Sequence, residues 1–407
     1  MERIIFHIDV NSAYLSWSAL KRLQDGDSVD LRMIPSIIGG DIERRHGVVL
    51  AKSIPAKAFG IITGEPVVNA VRKCPHLTIA APDHQMYEQK SRMLMDFLSG
   101  ICPDIEQASI DECYMDFTSV SHLYPSPEEA ATIIKDEIAS RFGFTVNIGI
   151  SDRKVLAKMA SDFKKPNLVH TLYAREIQEK LWPLPVSSLF MCGKSSADVL
   201  HKLGILTIGD LAKADPDVLS SHLKSHGILL WNYANGRDDS VVMQEPAKRK
   251  GVGNSVTLSH DVTSREEAAH TLLELAESVS RSLRASHEMA ELVCTEIKYS
   301  SFKSVSHQML LDTPTSSTGI LYQTALHLFD SLWDHSPIRL LGIRTSRLVS
   351  EDVPVQMSLF DLSSAAPQNE KQKKLDHALD AIRSRYGSDA VVRGSMLSSD
   401  TPRKSDS

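Results

Sequence analysis

The sequence predicts a multidomain α+β protein. Three observations carry that prediction. The chain has 407 residues, more than one hydrophobic core ordinarily organises. Short apolar runs of strand length alternate with helix-period segments over residues 4–163, and the same mixture returns over 252–349. Between them, residues 173–240 are Leu-rich and helical in pattern, with Gly193, Gly204 and Gly209 at turns.

Taken in order, residues 4–10 read as a buried strand ending at Asp9 and Val10. Asn11 or Ser12 caps a helix carrying Ala13, Tyr14, Leu15, Trp17, Leu20 and Leu23. Residues 31–75 are broken by Gly39-Gly40, Gly47, Pro55, Gly60, Gly64 and Pro66, which predicts a small irregular insert. A helix follows from about 83 to 99, then strands at about 104–109 and 112–118. A helix over 127–141 leads to an alternating strand, 144–150, and to a helix over 152–163 opened by Asp152. This order predicts a split-βαβ sheet containing antiparallel pairs, with helices on one face.

Lys164-Lys165-Pro166-Asn167 closes this domain, and Lys248-Arg249-Lys250 reads as a basic linker. The second α+β unit has strands at 252–258, 290–299, 304–311 and 339–348, with helices at 264–287 and 318–334. The tail from 350 is rich in Ser, Gln and Lys. It carries one helix, about 370–386, with Leu375, Ala378, Leu379 and Ile382 on one side.

The formal net charge of −6 argues against a wholly basic nucleic-acid binder, yet a local basic face is compatible with it. Five cysteines are scattered without a C-x-x-C pair, which suggests neither a zinc site nor a disulfide framework. No apolar run reaches the roughly 18 residues of a membrane span. The start runs straight into a strand and lacks a signal-peptide layout, so a cytoplasmic protein without a membrane partner is expected.

Chemistry concentrates in three carboxylates. Asp9 ends the first strand, and Asp111-Glu112 sits between the strands of the central hairpin. Carboxylates on neighbouring strand ends repel, and a site that tolerates this usually holds divalent cations and handles phosphates. The dipeptide alone more often marks a solvated turn.

The surrounding residues decide between these readings. His7-Ile8-Asp9-Val10-Asn11-Ser12-Ala13-Tyr14 resembles the first motif of the Y-family translesion DNA polymerases, the DinB/UmuC group. Ser109-Ile110-Asp111-Glu112-Cys113-Tyr114-Met115-Asp116 resembles the family's S-[IL]-D-E-x-Y-x-D turn. Gly149-Ile150-Ser151, with Leu156-Ala157-Lys158-Met159-Ala160-Ser161-Asp162-Phe163-Lys164-Lys165-Pro166-Asn167, resembles a third motif in the family's order and spacing.

The resemblance implies a right-hand polymerase. Its ferredoxin-like palm spans 1–19 and 76–166, with small fingers at 20–75 and a helical thumb at 167–240. A little finger at 250–349 and a tail at 350–407 complete it. Implied chemistry is error-prone, template-directed synthesis past damaged bases, as in an SOS-type damage response. The implied partners are primer-template DNA and deoxynucleoside triphosphates. Asp9, Asp111 and Glu112, with the carbonyl of Val10, are implied ligands of two Mg²⁺ ions. Tyr14 falls on the steric gate against a 2′-hydroxyl, and Lys165 on the lysine that reaches the β- and γ-phosphates.

The chain departs from the family in Ala51-Lys52-Ser53-Ile54-Pro55-Ala56-Lys57-Ala58-Phe59-Gly60. Ile54 replaces a tyrosine and offers no hydroxyl. Lys57 replaces an arginine, keeping the charge without the bidentate fork, and departures of this kind resemble the UmuC-like branch. Asn11 replaces a frequent aspartate.

Residues 189–212 resemble a helix-hairpin-helix, which points backbone N–H groups at a DNA phosphate. Gly193 and Lys194 belong to it, while Met191 stands where its first glycine is usual. Lys298, Lys303, Arg344 and Arg347 of the second α+β unit are implied DNA contacts, with Arg344 and Arg347 on opposite strand faces. In the tail, Gln356-Met357-Ser358-Leu359-Phe360 resembles the bacterial sliding-clamp peptide, with Gln356, Met357, Leu359 and Phe360 as anchors. Two other readings remain at this point. One is a non-catalytic DNA-binding accessory with a degenerate site, suggested by Ile54 and Lys57. The other is a palm-type nucleotidyl cyclase, which leaves the hairpin and clamp peptide unexplained.

Overall fold

The computed structural model describes residues 3–40, 47–245, 248–352, 366–387 and 390–391. They fall into two compact units, divided near residue 246.

The first unit opens with strand β1 (Ile5–Val10) and helix α1 (Ala13–Gln24). The irregular insert contains β2 (Ser36–Gly39), β3 (Val49–Lys52), α2 (Ile54–Ala58), α3 (Val67–Lys73) and β4 (Thr78–Ala80), with the three strands in order β3-β2-β4. Helix α4 (His84–Ser99) is capped by Asp83, whose carboxylate accepts from the Met86 amide at 3.0 Å. Then come β5 (Ile105–Gln107), β6 (Glu112–Asp116), α5 (Pro127–Phe142), β7 (Val146–Ser151), α6 (Lys154–Ser161) and β8 (Val169–Thr171). Asp152 lies outside the helix that it was expected to open, and Arg153 occupies the cap position.

These strands form one sheet in the order β5-β6-β1-β7-β8. The central strand β1 runs antiparallel to both neighbours, and every one of its residues is buried. Phe6, Ile8 and Val10 pack into the core that also takes Trp17, Leu94 and Ile134. Ile5 packs on the other face, against Ala157 of α6. The sheet is therefore covered on both faces, not on one as the sequence order suggested. Burial of both faces also explains why the strand reads as a continuous apolar run without alternation. Gly149 permits the close approach of α6: a Cβ there would lie 2.0 Å from the Ala157 carbonyl oxygen and 2.4 Å from the Ser161 nitrogen.

Residues 174–234 are helical, as expected, through short 3₁₀ and π turns to α7 (Lys194–Lys202), α8 (Ile208–Lys213) and α9 (Pro216–Ala234). Leu181, Val186, Leu200, Leu211 and Leu230 make their core. Beyond them the chain returns to the edge strand β5, where the Met243 amide donates to Glu106 at 2.7 Å and Lys154 Nζ to the Val241 carbonyl at 3.3 Å.

The second unit is an antiparallel sheet of β9 (Gly251–Val262), β10 (Glu288–Tyr299), β11 (Ser304–Thr315) and β12 (Ile338–Ser350), in the order β11-β10-β12-β9. Helices α10 (Arg265–Ala285) and α11 (Thr318–Leu332) cover one face and share its core with Val293, Ile297 and Leu341. Helix α12 (Ala366–Tyr386) docks here through charged side chains. Arg284 donates to Asp380 at 2.6 and 3.1 Å, and Arg383 to Glu277 at 3.0 Å. Leu375, Ala378 and Ile382, grouped on one side of the helix by the sequence, are exposed, while Asp376 and Arg383 are buried. No helix among the described residues is long and apolar enough to cross a membrane.

Candidate active site

Antiparallel pairing brings two of the three predicted carboxylates together. Asp9 on β1 lies directly opposite Glu112 on β6, and its other cross-strand partner is Asn147 on β7. The Val10 amide donates to the Asp111 carbonyl at 3.0 Å, which fixes the hairpin turn beside the end of β1. Asp111 itself accepts from the Ser109 hydroxyl at 2.7 Å. Among the described residues, no three acidic, histidine or cysteine side chains converge as a ready metal cage.

Lysines neutralise the acids one by one. Lys158 of α6, only 8% exposed, donates to Glu112 at 2.7 Å and pairs with Asp162 at 3.2 Å. Lys165 pairs with Asp9 and, at 2.8 Å, with Asp162. Burial pushes the Asp9 carboxyl up to about 6, against the pull of Lys165. Burial pulls the Lys158 ammonium down, but its bond to Glu112 and the charge of Asp162 carry it above the ordinary lysine value. Burial likewise opposes ionisation of Asp162, and Lys165 and Lys158 overcome it, leaving this carboxyl below its usual range.

Beneath the acids lies His7, fully buried, with Nδ1 2.8 Å from the Ser161 hydroxyl. Burial, then Lys158, hold its imidazole well below the usual histidine range. The donor set fits a hard divalent cation. It consists of carboxylate and carbonyl oxygens, and the buried Asp9 ionises reluctantly without more positive charge than Lys165 brings.

Tyr14, on the first turn of α1, stacks on Tyr87 with ring centroids 4.4 Å apart and planes 13° from parallel. Burial, then the negative charge of Asp111, hold its phenol above the ordinary value. Lys57 is exposed on α2, and no hydrogen bond or ion pair joins it to the carboxylates among the described residues. Ile54 on the same helix is 65% exposed.

Lys158, Asp162, Asn11 and Asn147 were not singled out from the sequence as site residues. For the first two, one signal was available: they stand four apart on an otherwise apolar helix, the spacing of a surface ion pair.

Gly193 is the N-cap of α7 and Lys194 its first residue. Met191 has φ 69°, the left-handed conformation that the missing hairpin glycine would adopt without strain. In the second unit, Arg344 lines a depression on the open sheet face with Gly253, Asn254 and Glu296. Lys303 is exposed in the β10–β11 turn, and Lys298 stands near the Phe302 ring, 5.5 Å from its centroid. Arg347 is also exposed, with φ 53°. Gln356, Met357, Leu359 and Phe360 lie outside the described residues.

Residues 8–162 match the model of the impB/mucB/samB family, and residues 249–359 match that of its C-terminal domain. The chain is 43% identical to a DNA polymerase IV of Clostridium acetobutylicum, over 98% of this chain and 99% of that one. The chain belongs to the impB/mucB/samB family. These are the Y-family polymerases that its motifs resemble. It is also 36% identical to a DNA polymerase IV of Alkaliphilus oremlandii, over 98% of this chain and all of that one (100%). A solved Y-family DNA polymerase chimera shares the fold, with a TM-score of 0.75 at 21% identity over 85% of this chain and 99% of that one.

Proposed function

We propose that this chain is a DNA-directed DNA polymerase that extends primers past damaged bases by nucleotidyl transfer. The observation that carries the reading is the register match of Asp9 with Glu112, two acids held side by side and countered by Lys165 and Lys158. Relatives that match nearly the whole length of the chain are named DNA polymerase IV.

Asp9, Asp111 and Glu112, with the Val10 carbonyl, would hold two Mg²⁺ ions. When bound, the ions would supply positive charge at the primer 3′ oxygen and the nucleotide phosphates. The remaining steps belong to the protein's own groups. Lys165 and Lys57 bind the triphosphate; Lys165 exchanges its carboxylate partner for phosphate oxygens as nucleotide enters. Tyr14, backed by Tyr87, presents a ring face that leaves no room for a 2′-hydroxyl.

Residues 1–19 and 76–166 serve as palm, 20–75 as fingers, 167–240 as thumb and 250–349 as little finger in this reading. Gly193 and Lys194 grip a phosphate of the duplex, and Lys298, Lys303, Arg344 and Arg347 contact its backbone. The Gln356–Phe360 peptide tethers the enzyme to the sliding clamp. Buried, unbridged cysteines accord with work in the reducing cytoplasm.

Primer extension on an undamaged and a damaged template, with four deoxynucleotides and Mg²⁺, tests the proposal. Distributive extension that stops in EDTA and is enhanced by the clamp supports it. No incorporation with Mg²⁺ or Mn²⁺ returns the chain to the non-catalytic reading.

A further inference from the structure

Two buried amides lie beside the carboxylates, and neither has a place in the chemistry above. Asn147 is fully buried on β7, directly across from Asp9. Its Nδ2 donates to the Ser161 carbonyl at 3.1 Å and to the Lys164 carbonyl at 2.8 Å. Its Oδ1 accepts from the Leu168 amide at 3.2 Å and from Asn11 Nδ2 at 3.2 Å. The second amide, Asn11, accepts at Oδ1 from the Asn167 amide and from the Thr145 hydroxyl, each at 2.9 Å.

These bonds converge on one segment, the turn from Lys164 to Leu168 that joins α6 to β8. Its first carbonyl and its last two amides are held by side chains of β7 and of the residue after β1. Within that turn, Lys165 is the residue whose ammonium reaches Asp9 and Asp162. A carboxamide suits this task because it offers two donors and two acceptor sites in one plane. At Asn147 all four are used. An aspartate there would lose both donors, and an alanine would leave the Leu168 amide without its side-chain partner and the Lys164 carbonyl with only the His170 ring, 2.9 Å away.

We infer that Asn147, with Asn11, is a positioning residue for Lys165: the amide pair sets the turn that aims the lysine at the nucleotide phosphates. The inference rests on the reading of Lys165 as a triphosphate contact. Neither asparagine touches substrate. Their effect on nucleotide affinity passes through the lysine, so it disappears when the lysine is removed.

The experiment is steady-state insertion of one templated deoxynucleotide by the full-length chain with Mg²⁺. It compares wild type, Lys165→Ala, Asn147→Ala and the double variant, with the melting temperature recorded for each. Asn147→Ala is expected to raise KM for the nucleotide about five- to tenfold, the effect of one or two lost hydrogen bonds, with a much smaller change in kcat. In the Lys165→Ala background the same substitution is expected to add little. Asn147→Ser retains one hydroxyl donor and should fall between wild type and Asn147→Ala; it replaces that variant if alanine prevents folding. Asn11→Ala should repeat the pattern. If Lys165→Ala raises KM but Asn147→Ala and Asn147→Ser do not, or if their effect multiplies fully with Lys165→Ala, the positioning role is overturned. If Lys165→Ala leaves KM unchanged, the phosphate-contact reading of that lysine fails, and the positioning role falls with it.

Discussion

Asp9 and Glu112 face each other at the same register position of two antiparallel strands, and each is held by a different lysine, Lys165 for one and Lys158 for the other. Two acids so placed destabilise one another unless positive charge intervenes. Here α6 and the turn behind it deliver that charge, which offsets the repulsion between the two acids.

The raised Asp9 carboxyl has a consequence for stability. Its folded value of about 6 lies above the ordinary 3.8, so the native state holds a proton that the unfolded chain has released. The contribution of this group is fully present below about pH 4 and is lost as pH rises through about 6, a change of roughly 2–3 kcal/mol. Asp9→Asn removes the group. Urea unfolding in EDTA should therefore show the variant gaining stability relative to wild type between pH 4 and 7, and a pH-independent difference would refute the assignment.

Sugar selection gives a second prediction. Tyr14→Ala opens the space above Tyr87 and should cut discrimination against ribonucleotides about 100-fold. The ratio of kcat/KM for matched deoxy- and ribonucleotides reads the effect. An unchanged ratio removes Tyr14 from the gate.

Much of the candidate site's backbone geometry was legible in the sequence, because short local patterns fixed it. The run ending at Asp9, the hairpin around Asp111-Glu112 and the alternating stretch 144–150 each gave a strand, and Asp9 and Glu112 proved adjacent. Contacts between distant segments were not legible. Nothing local announces that Asn147 reaches Lys164, or that Lys158 turns toward Glu112 rather than solvent. The covering of both sheet faces was signalled only by the unbroken apolar run of β1, and nothing local says which helix packs on the second face. For α12, apolar periodicity pointed to Leu375 and Ile382, yet charged side chains dock the helix.

That docking supplies a third prediction. Arg284 and Arg383 are each 7% exposed at the side chain, and removal of either takes a buried cation away from the carboxylates it pairs with. Arg284→Ala should cost about 3–5 kcal/mol in the second unit, as broken buried ion pairs do. Hydrogen exchange over residues 375–386 should rise sharply in the same variant. Unchanged protection would show that the helix is held by other contacts.

Met191 offers a change in the opposite direction. A side chain at φ 69° is strained, and glycine relieves that strain at some cost in chain entropy. Met191→Gly should stabilise the helical region by about 0.5–1 kcal/mol net. A lower unfolding midpoint in the variant would contradict this.

The most direct test of the acidic site is single-turnover insertion of one templated deoxynucleotide by wild type, Asp111→Asn and Glu112→Gln across a Mg²⁺ titration. Both variants are near-isosteric and keep the hairpin's hydrogen bonding, so folding should persist. The prediction is Mg²⁺-dependent insertion by wild type and a loss of about a thousandfold or more in each variant at saturating metal, the scale of losing charge stabilisation in a reaction centre. Insertion by either variant at the wild-type rate would contradict the claim that these carboxylates hold the metal ions.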